Sequence, residues 1–226
     1  MTTYNIETVT QTDLQNRVAA GLDVDLSTTS VPTTDQVDAW LWDAAMFLAT
    51  VLKPDQIPSL IGDEENVTAM ATGTTTLAGT NVIRPLYIGA NTDTTNSKVY
   101  NPCTIYTQQE HFRIKQFAPN MHTADNPAAV VTGKQGSLSI EFYPSGMTFY
   151  NIRYIGAPSP VANWTGAAAN FVPPSAWAQA MTAYAVMMGK LQDEEVELAN
   201  MSKAIWETSL TALIGKRSVQ SPPSAA

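Results

Sequence analysis

An α+β fold, built as a helical bundle with a C-terminal helical hairpin and an inserted antiparallel β region, is predicted by three features of the sequence. Apolar residues recur every three to four positions near both ends of the chain, whereas the stretch over 137–155 alternates with period two. Proline-bearing segments (Lys53-Pro54, Pro144-Ser-Gly146, Gly156-Ala-Pro-Ser-Pro160) stand where the period changes.

In chain order, Thr12-Asp13 is expected to cap a short helix reaching about Leu22. A second helix is expected over 34–52, opening at Thr33-Thr34. Asp35 and Asp38 sit near its start, where the positive end of the helix dipole favours carboxylates. Val37, Trp40, Leu41, Ala44, Phe47, Leu48 and Val51 make a broad apolar stripe, and Lys53-Pro54 ends it, because the residue before proline is pushed out of the helical region. Short β-prone pieces follow over 67–77 and 82–88, punctuated by Ala78-Gly-Thr80 and by the polar run 91–97. Thr107-Gln-Gln-Glu110 matches a capping box and predicts a short helix to about Gln116, after which 117–135 reads as loop.

Ser137–Tyr143 alternates as S-L-S-I-E-F-Y, and 147–155 alternates as M-T-F-Y-N-I-R-Y-I, which predicts a hairpin turning at Pro144-Ser-Gly146. Pro173-Pro174-Ser175 then launches a helix over 174–191, with Trp177, Met181, Tyr184, Met188 and Leu191 on one face. A turn near Gln192-Asp193 leads to a last helix over 194–214, with Gly215 as its C-cap. The three longer helices are expected to pack through Trp40, Phe47, Trp177, Met181, Met188, Ile205 and Leu213. The resulting organisation is N-terminal helices over 1–62, a β-rich centre with one short helix over 63–160, the closing hairpin over 161–215, and an extended tail over 216–226.

Only 14% of the 226 residues are charged, while Thr, Ala, Asn, Ser and Gln abound, so much of the surface is neutral and polar or is covered by other subunits. The net charge of −8 is concentrated: residues 1–65 hold 11 acids against 2 bases. An acidic surface repels phosphate, which disfavours duplex binding through the backbone and suits either solubility or a wall that DNA passes without sticking. No apolar run is long enough for a membrane span, and the start Met-Thr-Thr-Tyr-Asn lacks the pattern of a signal peptide. The tail Lys216 to Ala226 is too small-residued and proline-rich to pack by itself. It reads either as a frayed terminus or, with Lys216 and Arg217 at its root, Val219 and the Pro222-Pro223 pair, as a strip that docks in a neighbour's groove.

Motifs for chemistry are sparse. The sequence lacks Walker A, Gly-x-Gly-x-x-Gly and nucleophile-elbow patterns. His111, His122 and Cys103 do not have the close paired spacing of a zinc site, so neither a metal nor a cofactor is expected. Cys103, the single cysteine, is expected to be a small buried hydrophobe rather than a reactive thiol. Glu110 beside His111 admits acid/base chemistry, but adjacent helical residues point about 100° apart, and Glu110 is engaged by the cap. Asp63-Glu-Glu65 and Asp193-Glu-Glu195 lack the glycine of a calcium loop. Arg113, Lys115, Lys134 and Arg153, with Phe112, Phe117 and Tyr154, form at most a weak nucleic-acid patch.

The layout resembles the head–tail connector adaptor (head-completion) proteins of tailed bacteriophages, particularly short-tailed ones. The likeness is carried by VDAWLWDAAMFLATVLKPD (37–55), TLAGT (76–80), GSLSIEFYPSGMTFYNIRYIGAPSPV (136–161) and PPSAWAQAMTAYAVMMGKLQDEEVELANMSKAIWETSLTAL (173–213). Residues 81–135 depart from it, being longer and richer in Asn and Thr. The resemblance implies a non-enzymatic virion protein in the neck, assembled in the host cytoplasm. It would form a homo-oligomeric ring of about twelve copies, a closed cyclic assembly. The implied partners are the portal protein, a tail nozzle or tail-tube protein, and genomic DNA passing through the channel without sequence-specific binding; no membrane is implied. The tail residues Lys216, Arg217, Val219, Pro222 and Pro223 would then contact the portal. Two other readings stay open: another ring or tail-tube component of the same assembly, and a virion-associated peptidoglycan hydrolase with Glu110 as general acid. The second needs a further carboxylate about 5–10 Å away, for which the sequence offers Asp125 or Glu141.

Overall fold

The computed structural model describes residues 8–68, 74–78, 82–91, 100–107, 109–110, 122–134, 137–161, 164 and 171–215. The fold is α+β, with four α-helices and eight strands among these residues. It clusters into two compact units, one formed by 1–59 with 158–226 and the other by 60–157.

In the helical unit, α1 is Gln11–Leu22 and α2 is Thr34–Val51. The cap of α1 is Thr10 rather than Thr12-Asp13: its hydroxyl oxygen accepts from the Asp13 backbone N–H at 3.1 Å and the hydroxyl donates to the Asp13 carboxylate at 2.7 Å. Leu14, Val18 and Leu22 follow at intervals of four and are buried. At α2, Thr33 and Gln36 form a reciprocal capping box, and Val37, Leu41, Ala44, Ala45, Leu48 and Ala49 are buried.

The closing hairpin is α3, Ser175–Gln192, and α4, Val196–Gly215. The connecting turn places Glu194 at φ 60° and is held by a 2.7 Å ion pair between Lys190 and Glu195. Gly215 is the last helical residue rather than a cap beyond the end.

Helix α3 lies at the centre of this unit and packs against α1, α2 and α4. That position explains its composition: Ala178, Ala180, Ala183, Ala185 and Gly189 are all buried, so neighbouring backbones approach closely on several sides. A Cβ built on Gly21 would stand 2.6 Å from Val186 Cγ2, and one on Gly189 would stand 2.6 Å from Leu22 Cδ2. Trp164, Phe171 and Trp177 stack in sequence with ring centroids 5.7 and 5.5 Å apart.

Of the seven residues expected to pack the longer helices, Trp177, Met181 and Leu213 are buried, whereas Trp40 and Met188 are half-buried. Phe47 and Ile205 are exposed, a correction to the expected core. Phe47 still sets its ring 5.6 Å from Trp206, and Trp206 also meets Tyr184 at 5.3 Å.

In the second unit the strands are β1 Ile61–Thr68, β2 Thr74–Ala78, β3 Val82–Asn91, β4 Asn101–Pro102, β5 Thr104–Tyr106, β6 Ala128–Lys134, β7 Ser137–Tyr143 and β8 Phe149–Gly156. They form two four-stranded sheets, ordered β1-β8-β3-β4 and β2-β7-β6-β5. All pairs are antiparallel except β5 with β6. Pro85, which cannot donate to a ladder, sits where the β3–β8 register shifts.

The expected hairpin of 137–143 with 147–155 does not form. β7 pairs with β6 from Ala128↔Tyr143 to Lys134↔Ser137, while β8 pairs with β1 and β3. The stretch read as loop over 117–135 therefore contains the true hairpin partner. Its Ala128-Ala129-Val130 run is wholly buried and lacks the alternation by which half-buried strands are recognised. Ile140 and Phe142 from one sheet and Tyr150 and Ile152 from the other share a single core with Val82, Ile88, Ala90, Ala129 and Met147. Strands β7 and β8 are thus apposed across the core rather than hydrogen-bonded side by side.

Candidate subunit interface

Helix α4 buries only Ala199, Trp206 and Leu213, a strict spacing of seven. A single seam of this kind covers less of a helix than the usual apolar stripe. Most of its other large apolar residues face outward: Val196 is 57% exposed, Met201 64%, and Leu198, Ile205 and Ile214 are likewise exposed, whereas Leu210 is half-buried. Leu198, Met201 and Ile205, at i, i+3 and i+7, run along one flank. The Lys203–Glu207 pair, 3.8 Å apart, lies on another face. This helix is apolar on more sides than its own unit covers.

Beside it a groove of about 540 Å³ is bounded by Arg17 and Gly21 of α1, by Gln179, Ala183 and Val186 of α3, and by Ser202 and Ile205 of α4. The small Gly21 and Ala183 leave the groove open, and Ile205 gives it an apolar wall. Arg17 forms no ion pair among the described residues.

A second recess, of about 400 Å³, lies at the first turns of α2 between Asp35, Asp38, Trp42, Pro160 and Val161. Asp38 accepts hydrogen bonds from Gln11 Nε2 at 2.8 Å and Gln15 Nε2 at 2.7 Å. Burial pushes its carboxyl above the usual carboxylate range, and Asp35 adds to the rise, while the two amide hydrogen bonds oppose it. The Trp42 indole N–H donates to the Pro158 carbonyl at 3.2 Å. These bonds tie α1 and the chain after residue 157 to α2, and they make the recess a structural joint.

Among the described residues, those singled out from the sequence are held by separate partners. Glu110 is exposed, and its carboxylate accepts from the Thr107 backbone N–H and hydroxyl, both at 2.9 Å, as a cap does. Gln109 and Glu110 are helical, but the rest of that expected helix, with His111, Arg113 and Lys115, lies outside the described residues. His122 packs edge-on against Tyr106 with ring centroids 5.7 Å apart. Arg153 is paired with Asp63 at 3.5 Å, so it is not a free member of a basic patch. Glu141 accepts from the Tyr143 hydroxyl at 2.7 Å. Cys103 is half-buried, and burial pushes its thiol up to about 12, which keeps it protonated and unreactive at neutral pH. Lys216, Arg217, Val219, Pro222 and Pro223 lie outside the described residues.

Among the described residues no group of His, Cys, Asp and Glu is placed to hold a metal, and no helix is long and apolar enough to cross a membrane. No family model matches the chain, and no curated protein matches it in sequence. The surface of α4 carries no reactive motif, which is why motif patterns in the sequence do not mark it. The available signal was an excess of apolar residues over 196–214 beyond what one packed stripe can use.

Proposed function

We propose that this chain is a structural virion protein, the adaptor ring that joins the portal to the tail of a short-tailed bacteriophage and forms part of the DNA channel. The observation that carries this reading is α4, which presents Val196, Leu198, Met201 and Ile205 to solvent in a chain with only 14% charged residues. An apolar face of this kind marks a surface that another subunit covers.

The concentration of acids over residues 1–65, including the exposed Asp35 and Asp43 on α2, supports a channel that repels phosphate and lets DNA pass. The tail Lys216 to Ala226 contacts the portal, where Lys216 and Arg217 pair with carboxylates and Pro222-Pro223 limits the entropy lost on docking. The test is electron microscopy of the purified full chain, alone and with the portal protein of the same phage. Rings with a central channel, or rings formed on the portal, are expected. A protein that stays monomeric in both conditions overturns the reading.

A further inference from the structure

We propose that copies of this chain join head to tail, the turn between α3 and α4 of one copy seating in the groove between α1, α3 and α4 of the next. That the occupant is a second copy forming a ring rests on the adaptor reading; the contact itself is drawn from two surfaces of one molecule.

The first surface is the tip of the closing hairpin. Leu191, Val196 and Leu198, 48%, 57% and 45% exposed, surround the turn. Asp193, Glu194 and Glu197 stand between them without an ion pair among the described residues, whereas Glu195 is taken by Lys190 at 2.7 Å. The tip is therefore a knob of three apolar residues and three free carboxylates.

The second surface is the groove of about 540 Å³, with Ala183 and Val186 as floor, Gly21 and Ile205 as walls and Arg17 at its edge. Gln179, Thr182 and Ser202 complete the lining, so the slot mixes apolar and polar residues and carries one uncommitted cation. Knob and slot each set apolar residues beside polar ones and are opposite in charge, which favours this pairing over like-with-like contacts and fixes its direction.

The two surfaces cannot meet within one molecule. Val196 and Ile205 are on the same helix, which separates them by ~14 Å at 1.5 Å per residue. Each copy therefore offers its tip to one neighbour and its groove to another. Such a contact repeats, and it closes into a ring when the rotation between copies permits.

A mixing experiment tests this. Val196→Asp with Leu198→Asp disables the tip and leaves the groove intact; Arg17→Glu disables the groove and leaves the tip intact. All three positions are exposed, so circular dichroism and melting should match the unaltered chain. Native mass spectrometry is expected to show the unaltered chain in assemblies larger than a dimer, each variant alone as a monomer, and their mixture as a 1:1 heterodimer that grows no further. A variant that assembles alone like the unaltered chain, or a mixture that stays monomeric, overturns the proposal.

A second measurement stands apart from those substitutions. A chain carrying Cys103→Ser, Gln179→Cys and Asp193→Cys keeps Arg17, Glu194 and Glu197 and should give a ladder of disulfide-linked species on mild oxidation, and a product that stops at monomer overturns the head-to-tail contact. If the unaltered chain forms rings and both variants do too, the contact is wrong and the adaptor reading stands. If it forms open filaments that the variants abolish, the contact stands and the ring reading is wrong.

Discussion

The rings of Phe142 and Tyr150 meet 5.3 Å apart although only a short turn joins their strands, because β7 belongs to one sheet and β8 to the other. Two neighbouring strands thus close the core from opposite sides. The turn at Pro144-Ser-Gly146, with Gly146 at φ 103°, carries the chain from sheet to sheet.

Phe142, 1% exposed, stands at the centre of that core. Phe142→Ala is expected to cost ~3–5 kcal/mol, because the ring's transfer energy is lost and the surrounding strands cannot collapse onto the cavity. Equilibrium unfolding in urea measures it; a loss below ~1 kcal/mol would place the ring at a surface.

Gly21 tests the packing of α1 on α3. Alanine is the better helix former by roughly 1 kcal/mol, yet a methyl there meets Val186 Cγ2 at 2.6 Å. Valine is stiff in a helix and cannot swing aside. Gly21→Ala is therefore expected to destabilise the protein, and adding Val186→Ala should recover more stability than the two single changes predict when summed. Gly189→Ala should be milder, since the atom it meets is the end of the flexible Leu22.

Asp38 gives a pH dependence of defined sign. Its carboxyl is raised above the ordinary 3.8, with burial the main cause, so the folded state holds this proton more tightly than the unfolded state does. Stability from this group is complete below about 3.8 and is lost as pH rises through the raised folded value. Asp38→Asn removes this titration. Comparing urea midpoints of the two proteins across acid and neutral pH, the unaltered chain should gain on the variant as pH falls. A constant difference would show that Asp38 titrates as an ordinary carboxylate.

Cys103, with its thiol pushed up from 9.0 to about 12, should react with a disulfide reagent at pH 8 two to three orders of magnitude more slowly than the same thiol in urea-unfolded chain. Equal rates in the two states would mean that the thiol is open to solvent in the fold.

Helices α2, α3 and α4 were legible to within one or two residues because their signals are local. Thr33 with Gln36 caps one end, Lys53-Pro54 stops the other, and Trp177 and Met181 recur at the helical interval. The β-strand faces were legible for the same reason, since Ile140 and Phe142 alternate with Ser139 and Glu141.

Pairing was not. Alternation states which side of β7 is buried but not which strand lies beside it, and Ala128-Ala129-Val130, buried throughout, shows no alternation at all. The α4 surface was hidden on the same grounds: periodicity gives Val196, Leu198, Met201 and Ile205 no rank below Ala199 or Leu213, and only the positions of α2 and α3 decide which of them are covered. The longer helices, the buried face of β7 and the charge of each segment follow from residues within a turn or two of one another, and so are written in the sequence. The tertiary structure decided which strands join which sheet and which apolar faces remain open, because burial depends on partners distant in the chain.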